Sequence, residues 1–183
     1  MEQYKATIQY GLSSILKKLT FSFFLLMLFS ACQVDNNDLA GIVGSKAPAF
    51  TLTSSVGNQV NLLNYNNKVV VLFFFGNDCP FCKAAAPEIE RIIIGNYANR
   101  TDYVVLGLDY WNGSSDLVQA FQKSTGLSFP LLLDAGNVAT NYKTTYNRIV
   151  IIDKNQNIVF SGTQCASNDL PAVKQKLDML FAN

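Results

Sequence analysis

The chain has no histidine. That absence removes Ser–His and Cys–His catalysis, imidazole-ligated metal sites and imidazole proton transfer together. Charge is scarce as well. Of 183 residues 15% are charged, 14 basic against 13 acidic, for a net charge of +1. Without a basic surplus there is no electrostatic grip on a phosphate backbone, so nucleic acid is not an expected partner. Scarce charge together with 49% hydrophobic residues also excludes a disordered chain. Internal repeats and low-complexity stretches are missing, and nothing in the chain offers a nicotinamide or flavin site. Cysteine occurs four times, as Cys32, Cys79, Cys82 and Cys165. Four are too few for a disulfide scaffold at this length, so each needs its own explanation. Without histidine or a second cysteine pair, a closed zinc site lacks ligands, and no metal is expected.

What is present begins with a leader. Lys17 and Lys18 precede an apolar run over 19–29, broken only by Thr20 and Ser22. The run is roughly half the ~20 residues a membrane-spanning helix needs. A positive region, a short apolar region and then small residues read as a secretory signal peptide. Ser30 and Ala31 followed by Cys32 resemble a bacterial lipobox, with Phe29 where the pattern usually has Leu. The expectation is a lipoprotein signal peptide over 1–31, lipidation at Cys32, a polar tether over 32–43 and one domain over 44–183. A lipid anchor would make the membrane a partner and place the domain in the cell envelope, on the extracytoplasmic side, where disulfides persist.

The domain alternates strand and helix patterns. Short strands over 46–52 and 59–63 flank turn residues Gly57 and Asn58. The run KVVVLFFF over 68–75 has no polar alternation, which predicts a strand buried on both faces. A helix follows over 80–96, with Pro80 in its first turn and Pro87 kinking it. Strands are expected at 103–108 and 129–133, with helices at 114–124 and 137–142. A hairpin over 149–153 and 157–161 precedes a closing helix over 170–181. This order implies a mixed sheet covered by helices on both sides.

The chemistry lies at Cys79-Pro80-Phe81-Cys82, where the central strand ends and the kinked helix begins. A helix N-terminus favours a thiolate at Cys79, which makes Cys79 the nucleophile. Cys82, three residues further on, points inward and is the natural resolving thiol. Pro80 removes a donor the first turn does not need.

The segments GSKAPAFTL (44–52) and KVVVLFFFGNDCPFC (68–82), with Lys83 and Pro87 on the following helix, resemble the thioredoxin-like superfamily. More narrowly they resemble its TlpA/ResA and AhpC/TSA-type redoxins in lipoprotein form. FPLLLD over 129–134, Tyr142 and IVIID over 149–153 continue the likeness. The resemblance implies a three-layer α/β/α sandwich with a central mixed sheet and an N-terminal β extension. The chain departs from the family in three places. Asp78 stands where Trp usually precedes the first cysteine, and a carboxylate there opposes a thiolate. Asn147 stands at the cis-Pro position that faces the cysteines and helps present substrate backbone. Leu72 and Gly76 stand where peroxiredoxins carry Pro and Thr. Arg148, beside Asn147, is expected near Cys79, favouring its thiolate.

Three positions keep two readings each. Cys165, after the strand that returns to the site, is either a small buried residue opening the last helix or a third redox thiol. Trp111, after the second core strand, is either packing or part of a substrate-facing rim. Asp109 is a loop-capping carboxylate or a proton acceptor. The resemblance implies an enzyme, a thiol–disulfide oxidoreductase whose substrates are protein thiols or disulfides and whose electrons pass through a redox partner protein. The alternatives are a peroxiredoxin-like thiol peroxidase, or a redox-inert binding module that keeps the fold for protein contacts.

Overall fold

Gly57 and Asn58 turn the chain between two short alternating segments, and Gly57 adopts φ 90, which a side chain would resist. The segments form the antiparallel pair β1 (Thr51–Thr53) and β2 (Gln59–Asn61). The structure, a computed structural model, describes residues 42–182. The expected signal peptide, Cys32 and the polar stretch 33–38 lie outside the described residues. Ile42, assigned from sequence to the tether, is 5% exposed and packs into the core, so the folded unit takes in residues ahead of Gly44.

After a turn of 3-10 helix (Leu62–Tyr65) comes β3 (Val69–Phe75), with every residue buried. Seven β-branched, aliphatic or aromatic residues in succession leave no polar face for water, so the strand needs cover on both sides. Helix α1 (Pro80–Ile89) follows, then β4 (Tyr103–Asp109), α2 (Ser115–Thr125), β5 (Leu131–Leu132) and α3 (Gly136–Asn141). The chain closes with β6 (Arg148–Ile152), β7 (Ile158–Ser161) and α4 (Ala166–Phe181). The five-stranded sheet has the order β5-β4-β3-β6-β7. β3 is parallel to β4 from Val69↔Tyr103 to Phe75↔Asp109, and antiparallel to β6 from Val70↔Ile152 to Phe74↔Arg148. The end of β3, the end of β4 and the start of β6 therefore meet at one edge of the sheet.

Alternate β3 side chains feed two cores. Val69, Val71, Phe73 and Phe75 pack with α1, α2 and α4, while Val70, Leu72 and Phe74 pack with α3, β2 and Phe50. This is the expected three-layer mixed α/β sandwich, with the β1–β2 hairpin as its N-terminal extension. Phe75 stacks on Phe121 at 4.6 Å between centroids, which joins the last residue of β3 to α2.

The helix expected over 80–96 differs in detail. It holds α geometry to Ile89 and then widens into a π turn over Glu90–Ile94. Pro87 contributes no N–H to the ladder, and a wider turn is one way to re-register the bonds that follow. Glu90 at the start of that turn accepts the N–H and hydroxyl of Ser128, so the wide turn is tied to the loop ahead of β5.

Candidate active site

Cys79 is the N-cap of α1, in extended conformation at φ −70 and ψ 117. Its Sγ accepts the N–H of Cys82 at 3.2 Å, and its own N–H donates to Gly76 O at 3.0 Å. Pro80 fills the first helical position, where a missing N–H costs nothing. A sulfur at this position faces the unpaired amides of a helix start, which favour negative charge. Cys79 is 1% exposed and Cys82 is fully buried, and both are free thiols. Burial pushes the Cys82 thiol far above its ordinary range and the hydrogen bond with Cys79 adds to this, while the backbone amides of Gly76 and Asn147 act in the opposite sense. The two sulfurs lie one helical turn apart.

Asn147, the residue ahead of β6, is buried. It adopts φ 57, a left-handed conformation Asn tolerates better than most residues, and no cis peptide bond occurs among the described residues. A proline would have no amide to offer, whereas the backbone of Asn147 favours the Cys82 thiolate. The Asn147 carbonyl accepts Ala166 N–H at 3.0 Å and Arg148 Nη1 at 3.0 Å. Arg148 is 3% exposed. It opens β6 opposite Phe74 of β3, and burial favours its neutral form.

Asp78 does not stand bare beside the sulfur. Its carboxylate meets Lys83 Nζ at 2.6 Å, and that hydrogen bond and the ammonium charge hold it below the usual carboxylate range. The carboxylate ahead of Cys79 is thus paired with an ammonium from α1. Phe81, between the cysteines, is 55% exposed.

Trp111 packs on the site loop and stays partly exposed. A Cβ placed on Gly76 would stand 2.5 Å from the indole Cδ2, so the ring lies on the loop ahead of Cys79. It also meets Tyr146 edge-on at 5.3 Å and remains 42% exposed. Asp109 is a loop-capping carboxylate. Fully buried at the end of β4, it accepts from Asn77 Nδ2 at 3.1 and 3.2 Å, Trp111 N–H at 3.3 Å and Gly113 N–H at 2.5 Å.

Cys165 is the half-buried N-cap of α4, and the residue after it is bonded to Asn147. Sequence reasoning missed Asp169, which is 6% exposed in the first turn of α4 and accepts Gln164 N–H at 3.2 Å. Its only signal was position: the first turn of a helix that starts beside the site.

This architecture defines a thioredoxin-like protein, with a cysteine pair at the start of the helix that follows the central strand. The chain belongs to the AhpC/TSA family, whose model matches residues 43–161. It is 32% identical over 101 residues to the thiol-disulfide oxidoreductase ResA of Halalkalibacterium halodurans, covering 54% of this chain and 55% of that one. It is 34% identical over 95 residues to a provisionally named peroxiredoxin of Mycobacterium tuberculosis, covering 50% and 56%. The match thus spans a little over half the length of these two relatives. Among solved structures, a candidate protein disulfide isomerase from Bacteroides thetaiotaomicron superposes with TM-score 0.70 at 29% identity, over 77% of this chain and 91% of that one. Fold and family together make the protein a thioredoxin-like oxidoreductase.

Proposed function

We propose that the protein is a lipid-anchored thiol–disulfide oxidoreductase of the cell envelope. In this reading Cys79 attacks a substrate disulfide, and a mixed disulfide forms as the first substrate thiol leaves. Cys82 then attacks Cys79 Sγ, the bond to substrate breaks, and the second substrate thiol departs. The pair ends oxidised and is recharged by a partner protein. The observation that carries the reading is the contrast within the pair: Cys79 caps a helix start, while Cys82 lies sealed behind it. Phe81, Trp111 and Tyr146 form an exposed aromatic rim in the neighbourhood of the pair. A protein substrate reaches the covered Cys79 by displacing part of that rim. The leader with Lys17, Lys18 and Cys32 supports export and anchoring.

The test is to trap partners with Cys82→Ser. That variant should accumulate mixed disulfides at Cys79 that dithiothreitol releases, and Cys79→Ser should accumulate none. Equal trapping by both variants would refute the assigned roles. Cys32→Ser should move the protein from the membrane to the soluble fraction. The similarity to a peroxiredoxin supports a second reading, a thiol peroxidase. Cys79-dependent peroxide consumption well above that of free thiol would favour it, although Leu72 and Gly76 replace the Pro and Thr of that site.

A further inference from the structure

The two strands that flank β3 each lead into an aromatic residue at the site end of the sheet. The parallel register Phe75↔Asp109, carried two residues on, brings Trp111 level with Asn77. The antiparallel register Phe74↔Arg148, carried two residues the other way, brings Tyr146 level with Gly76. The Trp111 and Tyr146 rings meet edge-on at 5.3 Å, and Tyr146 also meets Tyr110 at 5.8 Å. The indole lies on Gly76, where a Cβ would stand 2.5 to 2.8 Å from three of its atoms. The carbonyl of Gly76 accepts the Cys79 N–H at 3.0 Å, so the aromatic pair adjoins the residue that holds the nucleophile's backbone. The backbone under the indole is fixed. Asp109, fully buried, accepts the N–H groups of Trp111 at 3.3 Å and Gly113 at 2.5 Å, and Asn112 Oδ1 accepts Gly136 N–H at 3.0 Å. Yet Trp111 is 42% exposed and Tyr146 38%. Aromatic side chains held in place and left in water are the kind of surface that anchors a partner's side chain.

We propose that Trp111 and Tyr146 determine substrate specificity: together they receive an aromatic or large aliphatic side chain next to the disulfide of a polypeptide substrate. The proposal rests on the reading of Cys79 and Cys82 as a redox pair and names the substrate class of that pair. Two further observations point the same way. The Asn147 carbonyl, at the position expected to present substrate backbone, already accepts both Ala166 N–H and Arg148 Nη1 at 3.0 Å. A carbonyl has two acceptor sites, so this one has none left for a substrate amide, and discrimination passes to side chains. The charges beside the cysteines, Asp78 and Lys83, pair with each other at 2.6 Å. The grip on substrate next to Cys79 is therefore apolar rather than ionic, and a small hydrophilic disulfide has nothing to set against the rings.

The test uses the reduced full-length protein and two cyclic disulfide peptides, identical except for Phe or Gly beside one half-cystine. Cys79 and Cys82 supply both electrons and both thiol protons, the peptide leaves as a dithiol, and the pair ends as a disulfide, so no other reductant enters. Acid quenching and chromatography give the rate for each peptide. An aromatic contact with its burial is worth roughly tenfold, so the Phe peptide should react about ten times faster than the Gly peptide. Trp111→Ala should bring that ratio to within about twofold of unity, Tyr146→Ala should lower it severalfold, and Trp111→Phe should keep most of it. A ratio near unity in the unaltered protein overturns the proposal, as does a Trp111→Ala variant that slows both peptides equally and keeps the ratio. Should Trp111→Ala fail to fold, the fluorescence of Trp111, the only tryptophan, decides. In the unaltered protein a Phe peptide with Ser in place of both cysteines should change that fluorescence saturably. No change, or the same change from the Gly counterpart, overturns the proposal. Reduction of neither cyclic peptide refutes the redox-pair reading instead, and the proposal falls with it.

Discussion

Asn77 and Asp109 clasp the two strand ends that carry the site: the Asn77 amide lies 3.1 and 3.2 Å from the two carboxylate oxygens. Asn77 is two residues before Cys79, and Asp109 also receives the amides of Trp111 and Gly113. One buried carboxylate therefore sets both the approach to the cysteine pair and the turn that presents the indole.

Asp109→Ala should lose about 3 kcal/mol, because it strands three part-buried donors. Asp109→Asn keeps one acceptor oxygen and should lose about half as much. Urea unfolding of the three proteins measures this ranking. Equal stability would show that water satisfies those donors without the carboxylate.

Gly76→Ala tests the seat of the indole. The new methyl would meet three ring atoms at 2.5 to 2.8 Å. Trp111 is 42% exposed and can swing outward, so the stability cost should stay near ~1 kcal/mol. As the only tryptophan, Trp111 should report its own displacement by red-shifted fluorescence. Turnover of a protein disulfide should fall several-fold more than turnover of a small aromatic disulfide.

Phe121→Ala removes the ring that stacks on Phe75 at 4.6 Å and is itself 1% exposed. A loss of about 3–5 kcal/mol is expected for an aromatic core deletion of this kind. Thermal unfolding gives the size. A loss under ~1 kcal/mol would mean that α2 collapses into the space.

Asp102 governs part of the acid behaviour. Hydrogen bonds from Arg100 at 2.8 and 2.9 Å and from Lys154 at 2.7 Å hold its carboxyl well below the usual range. A carboxyl depressed by folding stabilises above its unfolded pKa of about 4, and that contribution fades as pH falls toward the folded value. Asp102→Asn should therefore be less stable than the unaltered protein at neutral pH, and the two should converge below about pH 4. Denaturant titrations from neutral to acid pH follow this. A gap that widens in acid would reverse the sign of the coupling.

Local chemistry made much of this readable. The unbroken VVVLFFF run announces a strand with no face to spare for water, and Ser114 announces the start of α2, where its hydroxyl accepts Leu117 N–H. The placement of Cys79-Pro80-Phe81-Cys82 between strand and helix follows from the same local signals. What stayed hidden depends on residues distant in the chain. The π turn reflects bonds rearranged beyond Pro87 and a tie to Ser128. Asp169 reads as an ordinary solvated helix residue until α4 is packed against β6, when it proves to be buried. Arg148 reads from sequence as a residue near the site; that it is buried opposite Phe74 depends on the antiparallel return of β6.

That return has a further consequence. Cys79 and Cys82 are three residues apart, yet the Asn147 amide, which favours the Cys82 thiolate, comes from a distant part of the chain that only sheet assembly brings near. Ile149 and Ile151 of β6 belong to the core cluster that buries Cys82, so the seal over that thiol is acquired late in assembly and is lost with any unfolding that releases β6.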